Sequence, residues 1–478
     1  MISFCLPDIV RGQFKNGKEL HNSLKDKNKN IKLILLICVG LLIIIPVSWL
    51  LITRMESEMP DLSIDLAMPE IGAQKTLKVQ FQDKKSGLKR VWIGIFADGK
   101  ESVLLEKDFP TAGMLQSGTQ KMLLADVSIE PKTLGLKDGA ATLRLMAVDH
   151  SWRGWGKGNH TYLEKEIVID TKPPAIEVLT KAHNINPGGS GLVLYKVSEA
   201  CLESGVLVGE QFYPGYKGSL KDPEVMVAFF ALNHRQGAET DMSLRAVDKA
   251  GNQSKEWFNH YIRKQKFKKD SINISDRFLE RKMPEFANDI PPEKSSLIDK
   301  FLYVNSTLRK INKEKIEALT GHGDASMHWQ GVFLRLPKSA NRAKFADHRK
   351  YGYNGRTVDE QDHLGIDLAS LAHSPVPAAN AGKIAFAGRI GIYGNAIIID
   401  HGLGLFSMYA HLSRMDVEEG HMVKKGEIIG RTGMSGLAGG DHLHFSMMIH
   451  RTFVNPIEWW DAMWIKNNIT NKISSFGG

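Results

Sequence analysis

The first clear hydrophobic pattern in the chain is an uncharged, mostly apolar run at residues 33–53. A helix of about 21 residues rises about 1.5 Å per residue, enough to cross a hydrocarbon core of about 30 Å. Basic residues precede the run, at Arg11, Lys15, Lys18, Lys25, Lys27, Lys29 and Lys32. After it, only Arg54 opposes a set of acidic residues, Glu56, Glu58, Asp61, Asp65 and Glu70. Because positive flanks stay in the cytoplasm, we predict an uncleaved, single-pass anchor in the cytoplasmic (inner) membrane with the C-terminal bulk outside it.

A five-residue pattern occurs twice after this anchor. Residues 145–149 read Leu-Met-Ala-Val-Asp, and residues 244–248 read Leu-Arg-Ala-Val-Asp. The repeat distance is close to the length of about 100 residues of one immunoglobulin-like sandwich, and each aspartate comes just before a polar turn. We therefore predict two Ig-like domains, at 74–171 and 172–262, which resemble the spacers of bacterial surface proteins. These domains either act as spacers that hold the C-terminal module away from the membrane or dock to a partner in the cell envelope.

The stretch 263–330 is basic and interrupted by prolines, and it contains one helix-period pattern. Ser295 or Ser296 is positioned to cap the start of this helix. Apolar residues recur in steps of four and three at Leu297, Phe301, Val304, Leu308 and Ile311. The pattern predicts one amphipathic helix whose apolar face is buried. It either packs on a neighbouring domain or covers a functional cleft as a lid.

From residue 331 onward the pattern is that of compact β structure. Strand-like runs at 382–387 and 395–400 alternate with glycine turns. In a strand at 442–449, period-two geometry places His442, His444 and Ser446 on one face. A similar run at 405–412 offers His411 from a strand.

Length, charge and cysteine content limit the kinds of protein that this chain can be. The chain has 478 residues, a formal net charge of +9 and three cysteines, so it has room for several domains. Only Cys201 follows the apolar run, which excludes a disulfide framework. The positive charge suits anionic wall polymers or simple solubility, and no motif indicates a nucleic-acid partner.

The candidate chemistry lies in the histidines. His363 and Asp367 would be roughly 13 Å apart on an extended strand, too far for ligand bonds of about 2.0–2.2 Å to one ion. The backbone must therefore curl between them, and Gly365 is suited to that bend. His444 faces the same cleft as His442, so the histidine clusters together indicate a zinc site.

The three motifs, in their order along the chain, resemble the lysostaphin/LytM-type zinc metallopeptidases that cleave peptidoglycan cross-links. The matching motifs are His-x-Gly-x-Asp at 363–367, Tyr-x-His-Leu at 409–412 and His-Leu-His-Phe at 442–445. The resemblance implies that His363, Asp367 and His444 bind zinc and that His411 and His442 are catalytic. Asp441 stands where that family usually has proline, and it is positioned to alter substrate fit or to hydrogen-bond a histidine.

Two alternatives stay open for the C-terminal module. The turn-rich run 423–430 is similar to biotinyl/lipoyl carrier barrels, but the loop 433–440 contains no lysine to carry a cofactor. The second alternative is a non-catalytic LytM-like module that binds the wall or activates another murein hydrolase.

The predicted fold class is mainly β, with an antiparallel LytM-type peptidase module and a zinc-dependent endopeptidase function on peptidoglycan. The predicted divisions are a cytoplasmic basic tail (1–32), a transmembrane helix (33–53), a linker (54–73), Ig-like domains (74–171 and 172–262), a helical linker or lid (263–330), the peptidase domain (331–465) and a C-terminal tail (466–478).

Overall fold

The apolar run lies within one long helix, α1 (Asn16–Arg54), in the computed structural model, which describes residues 16–111, 113, 116–218 and 220–476. The part Ile31–Arg54 is long and apolar enough to cross a membrane. The first fifteen residues of the predicted basic tail lie outside the described residues. The predicted apolar helix is therefore confirmed, and its bounds contain 33–53.

The chain divides into two compact units between Thr171 and Lys172. After α1, the first unit contains two sheets, in the orders β1-β3-β6 and β2-β8-β7-β4-β5, around one hydrophobic core. Two one-turn helices, α2 (Pro131–Leu134) and α3 (Arg153–Gly156), lie in its loops. The strands are β1 (Asp61–Asp65), β2 (Glu70–Ile71), β3 (Lys75–Gln82), β4 (Leu88–Ala97), β5 (Lys100–Asp108), β6 (Met122–Ile129), β7 (Gly139–Asp149) and β8 (His160–Ile169).

The second unit begins with three small sheets, in the orders β14-β11-β9, β13-β12-β15-β16 and β10-β17. Their core is continuous with that of the C-terminal module. Tyr213 Oη, for example, lies 2.8 Å from Thr452 Oγ1. The strands are β9 (Ile176–Val178), β10 (His183–Ile185), β11 (Ser190–Val197), β12 (Cys201–Val208), β13 (Gln211–Pro214), β14 (Met226–Ala231), β15 (Met242–Asp248), β16 (Gln253–Trp257) and β17 (His260–Ile262).

The five-residue repeat has the same structure in both places. It ends β7 at Asp149 and β15 at Asp248. The side-chain amide of an asparagine donates to each carboxylate at 2.8 Å, Asn159 to Asp149 and Asn252 to Asp248. The turn chemistry predicted for these aspartates is confirmed, while the count of two Ig-like domains and their limits stay predictions.

The segment 263–330 is part of the second unit's fold. Its strand β18 (Lys269–Asn273) pairs in parallel with β20 of the C-terminal module. Three helices follow, α4 (Asp276–Lys282), α5 (Leu297–Leu302) and α6 (Arg309–Leu319). A 3₁₀ turn, Met283–Phe286, follows α4, and a π-helical segment, Tyr303–Leu308, joins α5 to α6.

The predicted amphipathic helix is confirmed at its start but not at its end. Ser296 caps α5, its hydroxyl accepting from Asp299 N at 3.1 Å. Phe301 is buried, but Ile311 is 47% exposed and Asn312 is buried in its place. The π-helical segment holds more residues per turn than an α-helix, so it rotates the following turns by about one residue.

The C-terminal module is built on a sheet of eight strands, β19-β22-β30-β26-β25-β24-β28 with β31 paired to β30. Two three-stranded sheets, β18-β20-β21 and β23-β29-β27, complete it. The strands are β19 (Ala340–Ala343), β20 (Asp347–Tyr353), β21 (Arg356–His363), β22 (Ile366–Ala369), β23 (Pro375–Pro377), β24 (Gly382–Ile390), β25 (Gly394–Gly402), β26 (Leu405–Leu412), β27 (Arg414–Met415), β28 (Met422–Val423), β29 (Ile428–Arg431), β30 (Leu443–Ile449) and β31 (Thr452–Val454).

Helices close the chain, α7 (Pro456–Trp460), α8 (Ala462–Ile465) and α9 (Asn471–Ser474). The predicted tail, from residue 466, continues as helix to Ser474 and buries Ile469 in the core. The predicted fold class is confirmed, because the chain is mainly β with one N-terminal apolar helix.

Candidate metal centre

Three side chains from adjacent strands meet at one buried point. β22 pairs with β30 so that Asp367 lies opposite His444, and His363 ends β21 just before β22. Asp367 Oδ1 lies 2.9 Å from His363 Nε2 and 3.0 Å from His444 Nδ1, and the two imidazole nitrogens are 3.0 Å apart. The three atoms form a nearly equilateral triangle. Tetrahedral zinc with bonds of about 2.0–2.1 Å separates its ligand atoms by about 3.3 Å, so these donors fit the ion.

Neighbouring acceptors fix which nitrogen of each of these two histidines faces the triangle. His363 Nδ1–H donates to Lys344 O at 2.9 Å. His444 Nε2–H donates to Ser446 Oγ at 3.0 Å, and that hydroxyl donates to Leu364 O. The remaining nitrogen of each ring keeps its lone pair toward the triangle. Such outer partners orient metal-binding histidines, and Ser446 lies on the face that the alternation predicts.

Gly365 is required here for space. Its φ lies outside the left-handed region, so the bend between His363 and Asp367 does not need a glycine conformation, and the predicted reason is wrong. A Cβ at this position would lie 2.5 Å from His444 Nε2 and 2.6 Å from Ser446 Oγ. Any side chain would therefore displace the His444 ring.

The two further histidines of the motifs face the same cavity. His442 lies just before β30, donates from Nδ1 to Gly440 O at 2.8 Å, and has Nε2 3.5 Å from Asp367 Oδ1. His411 donates from Nδ1 to Ser435 O at 2.8 Å. The ring centroids of His411 and His442 are 4.9 Å apart. Both rings therefore lie beside the triangle with Nδ1 held by a backbone carbonyl, and His442 Nε2 also faces Asp367.

His411 reaches this position through a β-bulge. Tyr409 pairs with Phe445, and Ala410 pairs with His444, so plain alternation puts His411 on the Tyr409 face, opposite His444. The pairing of β26 with β25 shifts register here, and His411 has φ of 62°. An extra residue and a left-handed backbone at a non-glycine residue redirect the side chain. The prediction that His411 comes from this strand is right, but alternation gives the wrong face.

Electrostatics favour an ionised Asp367 carboxylate, and they shift the pKa values of the neighbouring histidines in different directions. Burial would raise the pKa of Asp367, but the adjacent histidines, His363 first, hold it well below its usual value. Burial lowers the pKa of His444 to about 4. Burial and the neighbouring His442 lower the pKa of His411 well below its usual value. Burial also opposes protonation of His442, but the Asp367 carboxylate outweighs it and raises that pKa.

Arg349 is a site residue that no sequence motif indicates. It lies on β20, and its guanidinium donates to Asp367 Oδ2 at 3.0 Å. The pairing of β20 with β21, in which Asp347 lies opposite His363, brings it there. Arg349 thus contacts the carboxylate oxygen that points away from the triangle. Burial would lower the pKa of Arg349, but Asp367 keeps it raised and the side chain charged.

These groups line a cavity of about 310 Å³. One wall of the cavity comes from the C-terminal module and the other from the segment 263–330. The residues of the second wall are Ile272, Asn273, Ile274, Phe278, Phe301 and Arg309. The segment is thus both a wall of the cavity and a part of the core, so its packing on a neighbouring domain is confirmed, while its role as a lid stays a prediction.

The same segment also holds the loop that positions His411. Lys282, which is buried, donates from Nζ to Met434 O at 2.6 Å. Glu285 Oε2 accepts from Gly436 N at 2.9 Å. Ser435, the acceptor for His411, lies between these two points. The contacts connect α4 and the following turn to the orientation of a cavity histidine.

Other polar residues near the motifs have separate roles. Asp441 Oδ2 accepts from the backbone N of His373 at 3.1 Å, a contact that any residue at position 373 except proline could make, so the predicted effects of Asp441 on substrate fit or on a histidine ring stay predictions. His401 is fully buried, with Nδ1 2.7 Å from Ala381 O and Nε2 2.7 Å from Ser407 Oγ. Burial lowers the pKa of His401 to about 4, and its role is structural.

The C-terminal module is similar in sequence to known peptidases. A sequence model of peptidase family M23 matches residues 361–456. The DD-carboxypeptidase/endopeptidase Mpg of Neisseria meningitidis is 45% identical over 95 residues, 20% of this chain and 22% of that protein. The peptidoglycan DD-endopeptidase ShyB of Vibrio cholerae is 31% identical over 114 residues, 24% of this chain and 26% of that protein. The chain thus spans about a quarter of the length of these curated relatives.

A solved structure shows the same kind of likeness. The catalytic domain of lysostaphin from Staphylococcus simulans is 30% identical, with a TM-score of 0.24, and the match covers 27% of this chain and 98% of that domain. The matched family region contains all five site residues of the motifs. The C-terminal part of the chain is therefore a LytM-type domain of peptidase family M23.

Proposed function

We propose that this protein is a membrane-anchored zinc endopeptidase that hydrolyses peptide cross-links of bacterial peptidoglycan. The observation that supports it most directly is the triangle of His363, Asp367 and His444, with the rings of His411 and His442 lining the same cavity. The relatives named as peptidoglycan DD-endopeptidases support the substrate class.

The donor set suits zinc in a catalytic rather than a closed structural site. His363, Asp367 and His444 would hold the ion through two imidazoles and one carboxylate, the kind of three-ligand set that catalytic zinc sites use. When bound, zinc would supply Lewis acidity to the cavity. Arg349 neutralises part of the Asp367 charge and fixes that carboxylate for the ion.

His411 and His442 carry the proton transfers in this proposal. One accepts the proton of the attacking water and returns it to the leaving amine, and the other donates a hydrogen bond to the oxyanion of the tetrahedral intermediate. Their backbone acceptors, Ser435 O and Gly440 O, hold each ring with Nε2 toward the cavity. Burial strengthens these interactions because the effective dielectric constant inside a protein is lower than that of water.

The assay for this proposal uses the full chain in detergent, incubated with purified peptidoglycan. Mass analysis of the soluble products should find uncross-linked peptides, and a zinc chelator should abolish their release. If zinc-loaded protein releases no peptides from several wall types yet stimulates a second murein hydrolase, the module is an activator and the endopeptidase proposal is wrong.

The orientation in the membrane is a second part of the proposal. The basic residues before the apolar helix and the acidic residues after it favour a cytoplasmic N-terminus. A reporter fused after residue 70 should be active only outside the cytoplasm. A cytoplasmic reporter would contradict the wall substrate, because the peptidase domain would never meet it.

A further inference from the structure

A second cluster of candidate ligands lies in the first unit, just after the apolar helix. Glu56 lies in the segment after α1, Asp83 directly follows β3, and Asp149 ends β7. One carboxylate oxygen of each lies within 4.8 Å of the others. The side chains are 7%, 4% and 0% exposed, respectively. Three carboxylates thus share one buried point, which is costly unless a cation or protons compensate them.

The hydrogen bonds of the cluster leave one oxygen unsatisfied. Asp149 accepts from Ser151 N and Asn159 N, at 2.9 and 2.7 Å. Ser86 donates from N to Glu56 Oε1 at 2.9 Å and from Oγ to Asp83 Oδ1 at 3.3 Å. Glu56 Oε2 is buried with no hydrogen-bond partner in the described part of the chain. A buried carboxylate oxygen without a donor is rare and requires an explanation.

Positive side chains do not supply that explanation. Among the described side chains, no lysine or arginine forms an ion pair with Glu56, Asp83 or Asp149. Arg54 is close along the chain, but its guanidinium donates to Gln116 O and Ser117 Oγ. The cluster therefore combines three acidic groups with backbone and neutral donors only.

We propose that Glu56, Asp83 and Asp149 bind one calcium ion. Calcium bonds to oxygen at about 2.3–2.6 Å, so opposite ligands around one ion are about 4.6–5.2 Å apart; the observed spread of the three oxygens fits within that limit. The all-oxygen set excludes the nitrogen and sulfur ligands that zinc usually takes. The site is chemically distinct from the histidine triangle and independent of the peptidase proposal.

The position of the cluster gives the ion a structural role. The chain leaves α1 at Arg54, and the turn after β7 holds the next residues: Trp152 N donates to Arg54 O at 2.7 Å, and Asn159 Nδ2 donates to Glu58 O at 3.0 Å. Glu56 lies between these contacts. A calcium ion would therefore connect the segment after the apolar helix to two strands of the first unit and fix its course.

The test measures calcium binding by the full chain in detergent, stripped with a calcium chelator and reloaded with zinc. We expect one saturable calcium site per chain and a rise in the Tm of the first unit with calcium concentration. Glu56→Gln, which keeps the acceptor for Ser86 N, should weaken calcium binding at least about tenfold. Asp83→Asn is a second variant that retains the acceptor for Gly87 N.

Controls separate this site from the rest of the molecule. Glu166→Gln, on an exposed position of β8, and His444→Ala, at the histidine triangle, should both keep the wild-type calcium response. Absence of calcium binding by the wild type, with Glu56→Gln more heat-stable at every calcium concentration, would show that protons neutralise the cluster and would overturn the proposal. Equal affinity for magnesium would overturn the assignment to calcium.

Discussion

Two buried triads among the described residues differ in their donor atoms. The triad of His363, Asp367 and His444 combines two lone-pair nitrogens with one carboxylate, and Arg349 contacts that carboxylate. The triad of Glu56, Asp83 and Asp149 has only oxygen donors and no arginine or lysine partner among the described side chains. The first arrangement suits zinc and the second suits calcium, because ligand type selects the metal more than burial does.

The two triads also differ in access, which suits one to a catalytic role and the other to a structural role. The histidine triad lines a cavity of about 310 Å³ beside two further imidazoles. The acidic triad is closed by the turn after β7, whose backbone donates to Asp149. An ion in the cavity has access to a substrate, whereas an ion in the closed cluster can only stabilise the fold.

The largest effect expected is on catalysis, from the histidines beside the first triad. His411→Ala and His442→Ala should each lower kcat/KM on cross-linked peptides by at least about a hundredfold, because each removes a proton-transfer or oxyanion group. His421→Ala, an exposed histidine of the same module, is the matched control. Activity within about threefold of wild type in either cavity variant would contradict the proposed roles.

The next effect distinguishes ligands from catalytic residues within the cavity. His444→Ala should lower zinc affinity by at least about a hundredfold because it removes one of three ligands. His442→Ala should keep about one zinc per chain. Metal analysis of protein purified without chelator measures both. Equal zinc loss in the two variants would show that His442 is also a ligand, and full zinc content in His444→Ala would refute the triangle.

A smaller effect tests the arginine that the first triad has and the second lacks. Arg349→Lys should weaken zinc binding about 10–100-fold, since a lysine does not reproduce the guanidinium contact with Asp367 Oδ2. Competition with a zinc-binding dye measures the affinity, and Arg414→Lys, an exposed arginine, serves as control. An unchanged affinity would mean that Asp367 is oriented by its backbone and the histidines alone.

The smallest effect expected is on the free energy of unfolding. It comes from a buried carboxylate that accepts hydrogen bonds but belongs to neither triad. Glu458 accepts from Asn186 Nδ2 at 3.2 Å and from Ser190 N at 2.9 Å, and burial raises its pKa to about 7. A raised pKa adds stability below the unfolded value, and that stability is lost as pH rises through about 7. The free energy of unfolding should therefore fall by about 1–3 kcal/mol between pH 5 and pH 8.

The variant Glu458→Gln isolates this contribution, because the amide oxygen can still accept but does not titrate. Urea unfolding of the variant should depend less on pH than that of the wild type over the same range. Glu418→Gln, at an exposed position, should leave the wild-type dependence unchanged. Identical pH profiles for wild type and Glu458→Gln would assign the titration to another group.

Short motifs in the sequence single out the residues of the first triad. The strand period puts His442 and His444 on one face, but it is the resemblance of the three motifs to a known family that groups them with His363 and Asp367. The acidic triad has no such spacing, since Glu56 and Asp149 are distant in sequence and meet only through sheet pairing. Arg349 is missed for the same reason.

Local deviations from ideal geometry account for the remaining errors. The π-helical segment before Arg309 turns Ile311 toward solvent, and hydrophobic spacing cannot report an added residue in a turn. The space around Gly365 is set by His444, which lies far along the chain. These features depend on the assembled sheet, so a pattern within one segment does not contain them.

The bulge at His411 has a consequence for how this cavity can change over evolutionary time. Since the ring reaches the His444 face through an extra residue and a left-handed backbone in β26, the motif letters alone do not place it in the cavity. With Ala410 kept and the strand regular, alternation would turn the ring to the opposite face. We therefore expect relatives that share this histidine to share the bulge as well.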